Sequence, residues 1–372
     1  MLSGKYRATA FVVAALLLIP GLCSAAGDVD AANEHTRQFV RQTMKEQRIP
    51  GLQIAIVKDA QIVLSESYGL ANVEDRIATS KTTLFPINSA TKSFAGVALM
   101  QLAEAGLVDL DAPVSRYLDD LPEAWRAVRV RQLLAHTSGL PDIVGAQGLI
   151  GGGGEAEAWK AVKALPMDAP IGERFAYNQT NYALLGQIIA RQSKMPHERF
   201  FAERQFAPAG MHTATFGDGY DLVANAASVY IYSRSRPLAA GDGDRLVHWF
   251  DDLPGGLRAG SAMKTTADEI AHWLVALDQG RLISTDNVQR MWTSEKLNSG
   301  EDAGWAAGWP VLDTTPGKRQ VAGIGGGRSA FVVFPDDGLA VVVLTNLVGS
   351  NPQRFIPSIA AFYRTAQKIP AP

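Results

Sequence analysis

The chain has 372 residues, of which 47% are hydrophobic and 19% charged, with 35 basic and 37 acidic side chains. That length and apolar content are enough to bury a large core, which excludes a disordered or fibrous protein. The near-balance of charge leaves no basic footprint for nucleic acid or anionic lipid.

The first residues carry Lys5 and Arg7, then an uncharged stretch from Ala8 to about Gly21, then the small residues Ser24, Ala25 and Ala26. This pattern predicts a secretory signal peptide over 1–26 and a mature chain exported to the periplasm or beyond, membrane-bound only if the segment stays uncleaved. The single cysteine, Cys23, would leave with it. Disulfides, a thiol nucleophile and a thiolate metal site are then all excluded from the mature protein.

Ala31 to Gln47 reads as a surface helix that Pro50 and Gly51 stop. Leu52 to Val57 and Ile62 to Tyr68 are β-rich runs around Lys58-Asp59-Ala60-Gln61, a hairpin. From about Thr82 to Gly210 the pattern is helical. Phe94, Val97, Ala98, Leu102 and Ala105 predict an amphipathic helix ending at Gly106, and Tyr182 to Arg191 a second one. Gly151 to Gly154 is an unbroken glycine run, read as an exposed loop. Ala330 to Phe334 and Leu339 to Thr345 flank Pro335-Asp336-Asp337-Gly338 as another hairpin, and Ile356 to Ala366 predicts a closing helix. The expected fold is α+β: an antiparallel sheet built from 27–81 and about 255–372, flanked by helices, with about 82–254 inserted as a mostly helical part.

Ser89-Ala90-Thr91-Lys92 places a hydroxyl and an amine three residues apart, on one face of a helix, where the amine can take the hydroxyl proton. The spacing recurs at Ser261-Ala262-Met263-Lys264, so context decides between them. Ser89 opens a helix, whose N-terminal amides favour an oxyanion. Lys264 instead precedes Thr266-Ala267-Asp268-Glu269, a capping box that starts the next helix, which puts Ser261 and Lys264 in a loop. No serine here is flanked as Gly-x-Ser-x-Gly, and His35, His136, His197, His212, His248 and His272 are scattered singly, so neither a nucleophile elbow nor a zinc site is implied.

The run Phe85-Pro86-Ile87-Asn88-Ser89-Ala90-Thr91-Lys92 is joined by Leu133-Leu134-Ala135-His136-Thr137-Ser138-Gly139-Leu140-Pro141 and by Phe175-Ala176-Tyr177 leading to Tyr182-Ala183-Leu184-Leu185-Gly186. With Gly323 through Gly327 before the last hairpin, the chain resembles the serine β-lactamase and penicillin-binding-protein superfamily, in the branch of class C β-lactamases, D-Ala-D-Ala peptidases and related esterases. The resemblance implies a Ser89 acyl-enzyme with Lys92 as base, Tyr177 relaying protons, and the N–H groups of Ser89 and Gly327 as oxyanion hole. It implies no cofactor or metal and an ester or amide acyl substrate, β-lactams and D-Ala-D-Ala-like termini among them. Two positions depart from the family pattern. Gln179 stands for the asparagine of Tyr-x-Asn, and Ile324, before Gly325 and Gly326, stands for the basic residue that holds a substrate carboxylate. The second departure favours neutral acyl substrates. Arg328 is read either as a replacement charge for the substrate or, more ordinarily, as a solvated surface arginine, and His136 as part of a structural turn. Tyr220, Tyr230, Tyr232 and Trp249 are read equally as cleft lining or as a satellite core. A family member that binds peptidoglycan or a partner without turnover is the rival reading.

Overall fold

The computed structural model describes residues 20–233 and 244–364, with side chains from residue 27 onward; residues 1–19 of the expected signal peptide lie outside the described residues. Helix α1 spans Pro20–Glu46, eleven residues earlier than the pattern from Ala31 suggested. Among the described residues no helix is long and apolar enough to cross a membrane.

The strands that follow are β1 (Gly51–Lys58), β2 (Gln61–Asn72) and β3 (Ile77–Ala78), and near the other end β4 (Val311–Asp313), β5 (Gln320–Gly325), β6 (Ser329–Phe334) and β7 (Leu339–Thr345). They form one antiparallel sheet in the order β4-β5-β6-β7-β1-β2-β3, so the two ends of the chain meet where β1 pairs β7 at its centre. The β1–β2 turn closes through Asp59 (φ 47°) and Ala60 (φ 60°), both left-handed as a two-residue hairpin with this twist requires.

Alternation along the central strands sorts the core into two layers. Leu52, Ile54 and Ile56 of β1 join Ala330, Val332 and Phe334 of β6 and Val341 and Val343 of β7 on one face, beneath α1 and a C-terminal helix at Ile356–Arg364. Asn33, Thr36 and Tyr363 tie those two helices together: the Thr36 hydroxyl donates to Tyr363 Oη (3.1 Å), which donates to Asn33 Oδ1 (2.7 Å). Ala55, Val57, Phe331, Val342 and Leu344 face the other way. On that side lies the helix Ala267–Asp278, N-capped by Thr266, whose Oγ1 accepts from the Glu269 amide at 3.0 Å.

The same core layer runs without a break into the helical part. Helix α2 (Thr91–Glu104) threads its centre and is buried nearly all round, from Thr91 to Met100, whereas Ala105 is exposed. It is therefore an interior helix rather than the amphipathic one expected. Against it packs α3 (Gln179–Ser193). The helical part also carries short sheets: Phe85–Pro86 and Thr215–Phe216 flank Met263–Thr265. Ser261 and Ala262 form the expected loop, between a 3-10 turn (Gly255–Gly260) and the strand Met263–Thr265, which takes in Lys264. Gly151 to Gly154 is an exposed turn.

Candidate active site

Ser89 sits in a single 3-10 turn, Asn88–Ala90, that runs directly into α2. Asn88 before it is left-handed (φ 45°), a conformation that asparagine tolerates better than most residues. Lys92, one turn on, is completely buried. Its Nζ donates to the Gly260 carbonyl (3.0 Å), to Gln179 Oε1 (3.1 Å) and to Ser89 Oγ (3.5 Å). Three acceptors match the three donors of a lysine amine, and the ring centres of Tyr177 and Tyr182 lie 4.9 and 5.0 Å away. Those contacts replace the water that a buried amine loses. Position 260 has no room for a side chain, because a Cβ there would meet Tyr182 at 2.7 Å and the lysine amine at 3.3 Å.

Tyr177 Oη donates to Ser89 Oγ at 2.8 Å, closer than Lys92. Burial would push the Tyr177 phenol up, but the charge of Lys92 and hydrogen bonds with Lys92, Ser89 and Gln179 outweigh it and hold the phenol below its ordinary value. His136 holds the segment on both sides of this tyrosine. Its carbonyl accepts the Ala176 amide (2.8 Å), its Nδ1 accepts the Asn178 amide (3.1 Å), and its ring lies 4.5 Å from the Tyr177 ring. Burial first, then Lys92, push the His136 imidazole well below its ordinary value, so it stays neutral. The polar turn expected at His136-Thr137-Ser138 is present, and its work is to seat Tyr177.

Gln179 opens α3, with Asn178 as its N-cap: Asn178 Oδ1 accepts from the Asn181 amide at 3.1 Å. The longer side chain still brings an amide oxygen to Lys92. Two residues at this site were not found from the sequence. Asp142 accepts the Gln179 and Val144 amides (3.0 and 3.1 Å), and burial raises its carboxyl above the usual value although those amides and Lys92 pull it down. Trp305 stacks on Phe175 (5.6 Å) and meets Tyr177 edge-on (5.6 Å). Phe175 and Tyr177 are 38% and 40% exposed, so the three rings form an open aromatic wall beside the Ser89 hydroxyl. Both residues come from turns without periodicity, which left no signal to read.

The register of β5 corrects the expectation for Ile324. Ile324 pairs across the hairpin with Ala330 and packs with it under the terminal helices, on the face away from Ser89. Gly325 is turned toward Ser89: a Cβ on it would lie 1.8 Å from the Ile87 carbonyl oxygen and 2.8 Å from the Ser89 amide nitrogen. The preceding residue on that face is Gly323, and the Phe331 ring fills the space above it. Gly326 (φ 59°) and Gly327 (φ 61°) turn the chain into β6, and the Gly327 carbonyl accepts the Gly349 and Asn351 amides, each at 3.0 Å.

Arg328 is neither solvated nor open to substrate. It is 1% exposed, ion-paired with Asp251, and donates to Asn88 Oδ1 at 2.7 Å. The second Ser-x-x-Lys pair is committed elsewhere: Ser261 Oγ donates to the Leu257 carbonyl (2.9 Å) and buried Lys264 to the Asp218 carbonyl (2.7 Å). The aromatics between 216 and 252 divide. Tyr230 is buried in the terminal-helix layer, and Tyr232 Oη donates to the Arg48 carbonyl (3.1 Å). Tyr220 and Trp249 are exposed.

The family model described as Beta-lactamase matches residues 36–363. The chain belongs to this family. Its members are serine hydrolases, penicillin-binding proteins among them, that act on acyl or peptidoglycan-like substrates. The chain is 25% identical over 321 residues to Protein flp of Staphylococcus aureus (strain MW2), covering 83% of this chain and 62% of that protein. It therefore spans less than two thirds of that relative. Among solved structures it is similar to the octameric penicillin-binding protein homologue from Pyrococcus abyssi (TM-score 0.72, 27% identity, 88% of this chain and 77% of that one). In fold alone it also resembles EstCE1, a hydrolase with promiscuous acyltransferase activity (TM-score 0.71, 19% identity, 93% and 99%).

Proposed function

We propose that the protein is an exported hydrolase that forms an acyl-enzyme on Ser89 with uncharged ester substrates. Ser89 Oγ attacks the ester carbonyl once the Tyr177–Lys92 pair has given up one proton, and its own proton passes to Tyr177 Oη, whose phenolate form the charge of Lys92 favours. The Ser89 amide and the glycine turn that begins at Gly325 face the developing oxyanion. The bond to the alcohol then breaks and the alcohol leaves with the proton from that pair. Water, giving its proton to the same pair, cleaves the acyl ester, and the released carboxylic acid leaves Ser89 as a hydroxyl again.

The observation that carries the preference for a neutral substrate is the fate of the cations around Ser89. Lys92 is satisfied by three acceptors, Arg328 is bound to Asp251 and Asn88, and the strand face toward Ser89 bears glycines. The aromatic wall of Phe175, Tyr177 and Trp305 suits an apolar group instead. A missing hydrogen-bonded charge forfeits about 1.5–3 kcal/mol of binding to a carboxylate, or roughly 10- to 150-fold. The test compares kcat/KM for p-nitrophenyl esters with those for a penicillin and a peptide ending in D-Ala-D-Ala. Ester turnover exceeding the other two is expected. Penicillin or peptide handled as efficiently as the esters would contradict the reading, and no turnover of any of them would favour a binding protein.

A further inference from the structure

The cation nearest the nucleophile turn is spent inside the protein, and its geometry shows on what. Arg328 uses a single nitrogen, Nη2, for both of its partners: one N–H to Asn88 Oδ1 at 2.7 Å, the other to the Asp251 carboxylate. Its backbone lies in the other wall of the site. The Arg328 amide donates to the Gly325 carbonyl (3.1 Å), closing the glycine turn, and its carbonyl accepts from the Thr345 amide (2.9 Å) and Thr345 Oγ1 (3.0 Å). One residue thus joins the turn that carries Ser89 to the strand end that faces it. Asp251 is fixed in its own right: Oδ1 accepts from Trp249 Nε1 (2.9 Å) and its carbonyl from the Gly219 amide (2.8 Å). Gly326 leaves the room, since a Cβ there would lie 3.1 Å from both the guanidinium carbon and Asn88 Cγ.

A buried ion pair is a poor source of net stability, so its presence calls for another use. Asn88 supplies one. It holds a left-handed conformation directly before the nucleophile, a position that most residues other than glycine resist. We infer that Asp251, Arg328 and Asn88 form a positioning network that holds the left-handed turn and so aims Ser89 Oγ at the Tyr177–Lys92 pair and the Ser89 amide at the oxyanion. None of the three touches the reacting atoms. The inference rests on the reading of Ser89 as nucleophile.

The experiment measures phosphonylation of Ser89 by a fluorophosphonate, with kcat and KM for a p-nitrophenyl ester, on the full chain and on Asn88→Ala, Asn88→Gly, Asp251→Asn and the double variant Asn88→Gly/Asp251→Asn. Each is assayed below its own unfolding transition. Alanine resists the left-handed region, so Asn88→Ala should slow phosphonylation and kcat about tenfold with KM within about twofold, and Asn88→Gly should recover most of that loss. Asp251→Asn should also cost about tenfold alone but less than about threefold in the glycine background, where the turn no longer needs holding. Equal effects of alanine and glycine at 88, or the same Asp251→Asn loss in both backgrounds, would overturn the network. Labelling of the unaltered chain separates the two claims. If that chain reacts and Asn88→Ala reacts equally fast, only the network falls; if it does not react, the nucleophile assignment falls and the network with it.

Discussion

Replacing Gly325 with alanine tests the placement of strand β5 against the nucleophile. The added Cβ would sit 1.8 Å from the Ile87 carbonyl oxygen and 2.8 Å from the amide nitrogens of both Ser89 and Ala90. All three atoms are backbone, so no rotamer change relieves the clash. The strand and the nucleophile turn must part by more than about 1 Å, and a displacement of that size at a reacting centre costs on the order of 100-fold in rate. Overpacking of this kind also lowers stability by about 1–3 kcal/mol. Gly255→Ala is the matched control, because a Cβ there meets nothing within 4 Å. The assay is ester kcat/KM on both variants, with thermal unfolding to show that each is folded at the assay temperature. Gly325→Ala that keeps kcat/KM within about threefold of the control would refute the close contact between β5 and Ser89.

Gln179→Leu removes one of the three acceptors of the buried Lys92 amine and should lower stability in denaturant unfolding by about 1.5–3 kcal/mol, with Gln179→Asn falling between it and the unaltered chain. Because burial and Lys92 depress the His136 pKa, the unfolded chain binds a proton near pH 6.5 that the folded one refuses, so stability should fall as pH drops below about 6.5. His197, depressed chiefly by burial, acts in the same direction, and His136→Gln should flatten the slope of Tm between pH 7 and 5 without abolishing it. Ser261→Ala should leave ester kcat within about twofold, since that hydroxyl is bonded to the Leu257 carbonyl; a large loss would assign the second Ser-x-x-Lys pair a part in catalysis.

What the sequence made legible was local. Both hairpins carry their turn chemistry in adjacent residues, and the alternation of Leu52, Ile54 and Ile56 announces a strand wherever it pairs. Ser89 and Lys92 share a helical face, so their juxtaposition follows from spacing alone. Gly325 and Ile324 show where that reasoning stops. Counting along a motif puts Ile324 in the cleft, but which face of a strand is inward depends on its partner's register, here set by Ala330 and Phe331. Arg328 likewise reads as a surface residue until Asp251, 77 positions earlier, is brought against it. The interior position of α2 was hidden for a similar reason: a helix covered on every side by distant segments shows only a weak periodic stripe. Trp305 and Asp142 join the site through turns whose paths only the folded chain defines.

The account stands or falls on Ser89, and intact-mass spectrometry of the protein exposed to a fluorophosphonate tests it most directly, with Ser89→Ala alongside. One adduct per chain, mapped to Ser89 and absent from Ser89→Ala, is the predicted result. A folded, unaltered chain that stays unlabelled, or a Ser89→Ala chain that labels equally well, would contradict it.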